Sequence, residues 1–464
     1  MEPIHSSTER ICLQGGNYVR RKETEESNET IIPPKEPSLG SIHRRIRWER
    51  LDNTAHMFPV IANEQTSNVF RISVTLREMV TPELLQQALD IVLPKFDGFN
   101  VRIRNGIFWH YFEENGKPAP RVKKEKGFPC RFFRLSSNNS YMFRVSYFRY
   151  RINLEVFHVL ADGMGAINFL KELTYQYLRL KHGELAEICG NQLDHQTTLN
   201  LEDSFRKHCK KTAPTQYALD RAYLIKGERL ASGEFGVMHG YLKLSELKPL
   251  CRSLGMTINE YLVSVYVWSI YTEYLHRTPS KKPIRIAVPV NLRPYFKSIT
   301  TRNFFAIISA EFRPEEETYS FEDVCRIIQS SLHDQLKADH LEEIFSYNVS
   351  CQQNPLLKIL PLPIKHLGMR FVYARSALAN TSTVSNVGKI EVSEPYKPYI
   401  DLFHVFMAVS KGQHIKGTLC SYEDTLVFTF SYDLVDNSLQ RGFFRKLAED
   451  GLSVEVESNG VHYG

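Results

Sequence analysis

The stretch that most constrains this chain is FHVLADGMGAINFL, Phe157 to Leu170. Upstream, Ile152, Leu154 and Val156 alternate with Asn153, Glu155 and Phe157, the period-two pattern of a strand. Downstream, Ala166, Ile167, Leu170, Leu173 and Tyr177 recur at helical spacing. The switch falls on a turn carrying Gly163 and Gly165, and Gly163 is expected to serve the backbone turn. A strand that passes through a tight turn into a helix defines an α/β layer. It places His158 at the strand end and Asp162 just before the helix. Taken alone, the spacing also suits a histidine satisfied within a core, which is the commoner case.

The same alternation recurs along the chain. NVFRISVTL, INLEVFHVL and IRIAVPVNL read as strands. Thr81-Pro82 opens a helix, with proline at its first position. Asn105-Gly106 marks a hairpin turn. Thr257 and Glu260 have capping-box spacing ahead of a helix that is apolar nearly all round, and is therefore central. Ser320 and Asp323 cap another, near 321–336. STVSNVGKIEV, DLFHVFMAV, HIKGTLCSYED and TLVFTFSYD make the last third rich in strands, and SLQRGFFRKLAED closes as a helix. At 464 residues the chain exceeds one core. Two similar α/β subdomains are expected: 41–185 with the His158 turn, a crossover over 186–240, and 241–464. Residues 1–40, polar and broken by prolines, read as a disordered or strap-like tail.

Composition excludes several classes. A net charge of +6 is modest for this length, and nothing concentrates it into the basic face that nucleic acid demands. No apolar run approaches the roughly 20 residues that span a bilayer, and the first residues show no secretory h-region. The eight cysteines are scattered with no metal-like spacing, which suits reduced thiols in a cytoplasm rather than a disulfide framework. No second histidine or carboxylate pair stands at ligand spacing, so no metal is expected. A monomer is the default.

His158-x-x-x-Asp162-Gly163 at a strand-to-helix junction resembles the chloramphenicol-acetyltransferase-like acyltransferase superfamily. That group includes condensation domains, polyketide-associated acyltransferases, plant acyltransferases and alcohol acetyltransferases. SELKPLCRSLGMTINEYLVSVYVWSI, VPVNLRPYF with TRNFF, VSNVGKI and TLVFTFSYD extend the resemblance over roughly residues 47–447. Condensation domains carry two adjacent histidines; here Phe157 takes the first place, which turns the reading away from peptide synthesis and toward ester or simple amide formation. The resemblance implies two such subdomains packed in a V with the site in a tunnel between them. It implies an acyl group moved from an acyl-coenzyme A co-substrate to a small alcohol, with no permanently bound cofactor.

His158 is then the general base. Asp162 is structural, orienting the loop by pairing with an arginine. Arg293 is the first candidate for that partner and Arg302 the second, while Ser385, Asn386 and nearby backbone N–H groups, with Asn291, are candidate oxyanion donors. The alternatives are a freestanding condensation-type enzyme using a carrier-protein thioester and an amine, a non-catalytic binding protein of the same fold, and a thioester hydrolase. His404 reads as structural rather than substrate-lining. The basic stretch Lys117, Arg121, Lys123, Lys124 and Lys126 reads as a solvated loop rather than a phosphate or carrier-protein contact.

Overall fold

The computed structural model describes residues 48–460, except 191, 195–196, 211–219 and 317. The segment 1–40 expected as a tail lies outside the described residues.

Three sheets organise the chain. A five-stranded sheet runs in the order Ile400–Met407, Val69–Leu76, Arg151–Phe157, Phe143–Phe148, Lys123–Lys124. A seven-stranded sheet runs Phe305–Phe312, Ile284–Asn291, Ser382–Lys389, Ile415–Tyr422, Thr425–Tyr432, Gly236–Lys243, Glu455–Ser458. A small third sheet joins Trp48–Arg50 to the Val101–Asn105 and His110–Glu114 hairpin. The fold is mixed α/β with two lobes.

Local signals explain the elements. Pro82–Val92 starts at its proline and packs on Gly163–Lys181, and the two cover the five-stranded sheet. Ile258–Glu273 starts with a complete capping box, Thr257 and Glu260 satisfying each other's backbone N–H groups. Such a cap stabilises by about 1 kcal/mol. This helix is buried on every face, against Phe321–Gln335, Ser438–Glu449 and the seven-stranded sheet.

Two features depart from the sequence expectation. The helices Ala338–Gln353, Pro355–Ile359 and Leu362–Ser376 fill a stretch for which the sequence predicts no element, ahead of the strands that begin at Ser382. Ala338–Gln353 buries Leu341, Phe345 and Val349 on one face, whereas in Leu362–Ser376 the apolar residues share none: Leu367 is 74% exposed and Phe371 70% exposed, while Lys365 is buried. The Ile400–Met407 strand also leaves the second half. It pairs antiparallel with Val69–Leu76, Val405 opposite Ile72 and Met407 opposite Phe70. The span 241–464 is therefore not a self-contained subdomain. Alternation identifies a strand but not the sheet it joins.

Candidate active site

His158 continues the Arg151–Phe157 strand by one residue, its N–H donating to Asn68 O at 3.0 Å. The chain then turns, and Asp162 becomes the N-cap of Gly163–Lys181, accepting from Gly165 N at 3.1 Å. Its carboxylate also reaches the second lobe. Arg293 Nη2 approaches Oδ2 at 2.9 Å and Oδ1 at 3.1 Å, and Phe304 N–H donates to Oδ2 at 3.1 Å. Arg293 is itself fixed by Thr300 O at 2.8 Å, Arg302 O at 2.7 Å and Asn291 Oδ1 at 3.2 Å. The side chains of Arg293 and Asp162 are only 11% and 9% exposed, so this is a desolvated ion pair tying lobe to lobe. Arg302 turns elsewhere, to Glu49 and to Arg50 O.

The turn needs glycine at a different position from the one expected. Gly163 has no positive φ, and a Cβ there would meet only Val387 at 3.5 Å, an ordinary contact. At Gly165 a Cβ would lie 2.2 Å from Thr301 O, a backbone atom of the other lobe. Gly165 is what lets the helix start approach that lobe. Gly165→Ala is expected to destabilise the protein by about 1–3 kcal/mol through overpacking. Gly163→Ala should stay within about 1 kcal/mol of the parent, since alanine also favours the helix. Urea unfolding of the two variants checks the contrast.

The imidazole of His158 sits among aromatic rings. Phe58 stacks on it with centroids 4.7 Å apart, Phe70 meets it edge-on at 5.0 Å, and Phe305 lies at 5.6 Å. Its Nδ1 is 3.1 Å from Asn303 Oδ1. The amide of Asn303 has one possible orientation. Its Nδ2 donates to Asp52 Oδ2 at 2.9 Å and to His158 O at 3.3 Å, and a carbonyl oxygen can only accept. Oδ1 therefore faces the ring as an acceptor, and Nδ1 carries the proton. Nε2 is left with its lone pair. It makes no hydrogen bond among the described residues and, unlike His404 Nδ1, is not sealed from solvent. The residue as a whole is half-buried.

Electrostatics keep this ring neutral. Burial lowers the pKa of His158 below the usual 6.5, opposed by its own carbonyl, Asp162 and Asn303, with the Lys416 charge adding to the depression. Asp52 is buried too, and burial pushes its carboxyl up to about 7, against hydrogen bonds from Asn303 and Ala55 N. Asp52 and Asn303 are functional residues that sequence reasoning missed. TRNFF contains Asn303, but nothing in it indicates a histidine 145 residues away.

The remaining candidates divide. Val387 is the extra residue of a bulge between Asn386 and Gly388 and stands beside Gly163, so VSNVG abuts the helix start. Ser385 is half-buried there; Asn386 is exposed, and its Oδ1 accepts from Gly388 N at 2.8 Å. His404 lies in a buried cluster with His239, at 4.3 Å, and Tyr241. Lys123 and Lys124 form an exposed sheet edge, where lysines deter further pairing. A cavity of about 740 Å³, bordered by Trp48, His56, Phe108, Trp109 and Gln352, does not include His158. Among the described residues no group of three or more His, Cys, Asp or Glu is placed to hold a metal, and no helix is long and apolar enough to cross a membrane.

The chain has the two-subdomain fold seen in condensation-type, chloramphenicol-acetyltransferase-like acyltransferases. TRI101 of F. sporotrichioides, solved with coenzyme A and T-2, matches at a TM-score of 0.58 and 12% identity, over 88% of this chain and 99% of that one. TRI3 trichothecene 15-O-acetyltransferase of Fusarium sporotrichioides matches at 0.53 and 11%, over 87% and 94%. The condensation domain of the Monacolin K polyketide synthase MokA matches at 0.54 and 10%, over 87% and 97%. At such identities the likeness is one of fold. No family model and no curated protein matches the sequence.

Proposed function

We propose that this protein is an acyltransferase that moves an acyl group from a coenzyme A thioester to a hydroxyl group, with His158 as general base. The observation that carries the reading is the state of the ring: Nδ1–H is held by Asn303, and Nε2 is unprotonated and unpartnered among the described residues. An alcohol near neutral pH is a poor nucleophile. Nε2 takes its proton as the oxygen attacks the thioester carbonyl. The tetrahedral intermediate collapses, the carbon–sulfur bond breaks, and the imidazolium returns the proton to the departing thiolate. Such help is worth roughly 10²–10⁴-fold. Ser385 and backbone N–H groups near Val387 are the candidate donors to the oxyanion. Asp162 and Arg293 hold the loop that aims the ring. Coenzyme A as donor carrier draws support from the fold neighbour solved with it. A carrier-bound thioester with an amine acceptor is the second reading, supported by the condensation domain of the same fold.

Thiol release from acetyl-coenzyme A tests the proposal. With a panel of alcohols and amines, release that requires both an acceptor and His158 is expected. Release without an acceptor would make the protein a thioester hydrolase, and no release from any donor, carrier-bound ones included, would make it a binding protein. The pH profile has a definite sign. Protonating His158 removes the base, so the rate falls as pH falls. Because burial lowers its pKa, kcat/KM is expected to be level through neutral pH and to decline only below 6.5. An acidic limb centred above that value would contradict a buried base.

A further inference from the structure

The strand Ile415–Tyr422 has two contrasting faces. Gly417, on one face, lies against Phe428 and Tyr266 in the core of the second lobe, with Ile415 and Leu419. On the other, Thr418 Oγ1 donates to Val405 O at 2.5 Å and Cys420 Sγ lies 3.4 Å from Phe403 O. Both acceptors belong to the strand that completes the first lobe's sheet. Lys416 shares this face, so its side chain enters the space between the lobes. The residue is 8% exposed. Its Nζ has no hydrogen bond and no ion pair among the described residues, yet it is not one of the sealed polar atoms. It is thus a second nitrogen, besides Nε2 of His158, that is set among protein, unpartnered and not fully sealed.

The two sense each other. The Lys416 charge depresses the pKa of His158, and burial brings the lysine's own pKa down to about 8. The other group acting on Lys416 is the Cys130 thiol, which burial keeps neutral. Glu155, which accepts from Cys130 N at 2.7 Å, is already committed to Arg71 and Arg144. An ammonium taken out of water without a counter-ion is costly, and a partner that supplies the anion recovers that cost. The aromatic rings around His158 offer none. The anion also sits toward the reacting end of a substrate: the neighbouring strand Ser382–Lys389 runs in register with this one, Ser385 beside Thr418, and its Val387 stands beside Gly163 at the end of the His158 loop. The phosphates of a coenzyme lie at the other end of its long pantetheine arm.

We infer that Lys416 receives a carboxylate carried by one of the two substrates, either at the far end of a short dicarboxylic acyl group or on the acceptor. The inference rests on His158 being the centre of acyl transfer and specifies which compounds reach it. A charge-assisted pair in a desolvated setting is expected to favour the carboxylate by at least about tenfold.

Calorimetric binding tests it without requiring turnover. The probes are malonyl- against isovaleryl-coenzyme A for the donor, and mandelate against mandelamide for the acceptor, each pair matched in size. The wild-type protein should bind one carboxylate at least about tenfold more tightly than its uncharged match. Lys416→Met should bring that ratio to near one, and Lys416→Arg should retain a preference. The pair that shows the ratio identifies which substrate bears the acid. A wild-type ratio near one for both pairs overturns the inference, as does a ratio that Lys416→Met leaves unchanged. A uniform loss of turnover in Lys416→Met with no carboxylate preference also overturns it, assigning the lysine to the oxyanion instead. Carboxylate binding through Lys416 with no transfer to any acceptor would overturn the acyltransferase reading and leave this one standing.

Discussion

His158→Ala is expected to lower kcat/KM for acyl transfer by roughly 10²–10⁴-fold, about 3–5 kcal/mol of transition-state stabilisation. The loss should fall mainly on kcat, because the base acts on a proton that moves only as the bond forms. The ring packs against Phe58, Phe70 and Phe305, so its loss costs packing, but no main-chain hydrogen bond depends on it. Its polar contact is with Asn303, and that amide keeps its bonds to Asp52 and to the backbone carbonyl of residue 158. Circular dichroism of the variant should match the parent, with a modest fall in melting temperature from the lost packing, separating chemistry from folding. An alanine variant that folds and transfers at the parental rate would remove the histidine from the mechanism and with it the proposed reaction.

The second large effect is on stability. Asp162→Ala is expected to destabilise the protein by about 3–5 kcal/mol, the usual cost of leaving a buried partner charge uncompensated. The deletion strands Arg293, whose side chain is 11% exposed, and removes the acceptor for Gly165 N and Phe304 N. Asp162→Asn should cost less, since one amide oxygen still accepts from the backbone. Asp162→Ala combined with Arg293→Met should recover part of the loss, because the stranded cation goes too. Denaturant titration of the single and double variants measures the coupling. A double variant no more stable than the sum of its parts would show that the two side chains do not act as a pair.

What could be read from the sequence follows how far each cause reaches along the chain. The strands and helices at Val69–Leu76, Pro82–Val92 and Ile258–Glu273 are written locally, in alternation, a proline at a helix start and a capping box. Leu362–Ser376 also has a proline, Pro363, at its start, but no apolar stripe follows it, because the helix buries Leu362 and Lys365 and exposes Phe371. In the site, His158 and Asp162 are legible because their spacing is itself the loop. Asp52, Asn303 and Lys416 are not, because each is brought to the histidine by a different stretch of chain and only the folded arrangement makes them neighbours. The glycine at 163 illustrates the opposite error: a motif position suggested a backbone demand that the close approach places at 165.

The strand Ile400–Met407, which crosses to the opposite sheet, bears on how such a molecule can open. It lies beside Val69–Leu76, and Phe70 on that strand touches the ring of His158. Because its ladder is with the first lobe's sheet, a swing of the halves carries this strand with the first lobe, and the motion has to be absorbed by the two connections, 390–399 and 408–414, that join it in sequence to the second lobe's strands. For the same reason the halves cannot be traded as cassettes: a first half made alone would end in a bare strand, inviting another copy to fill the missing place.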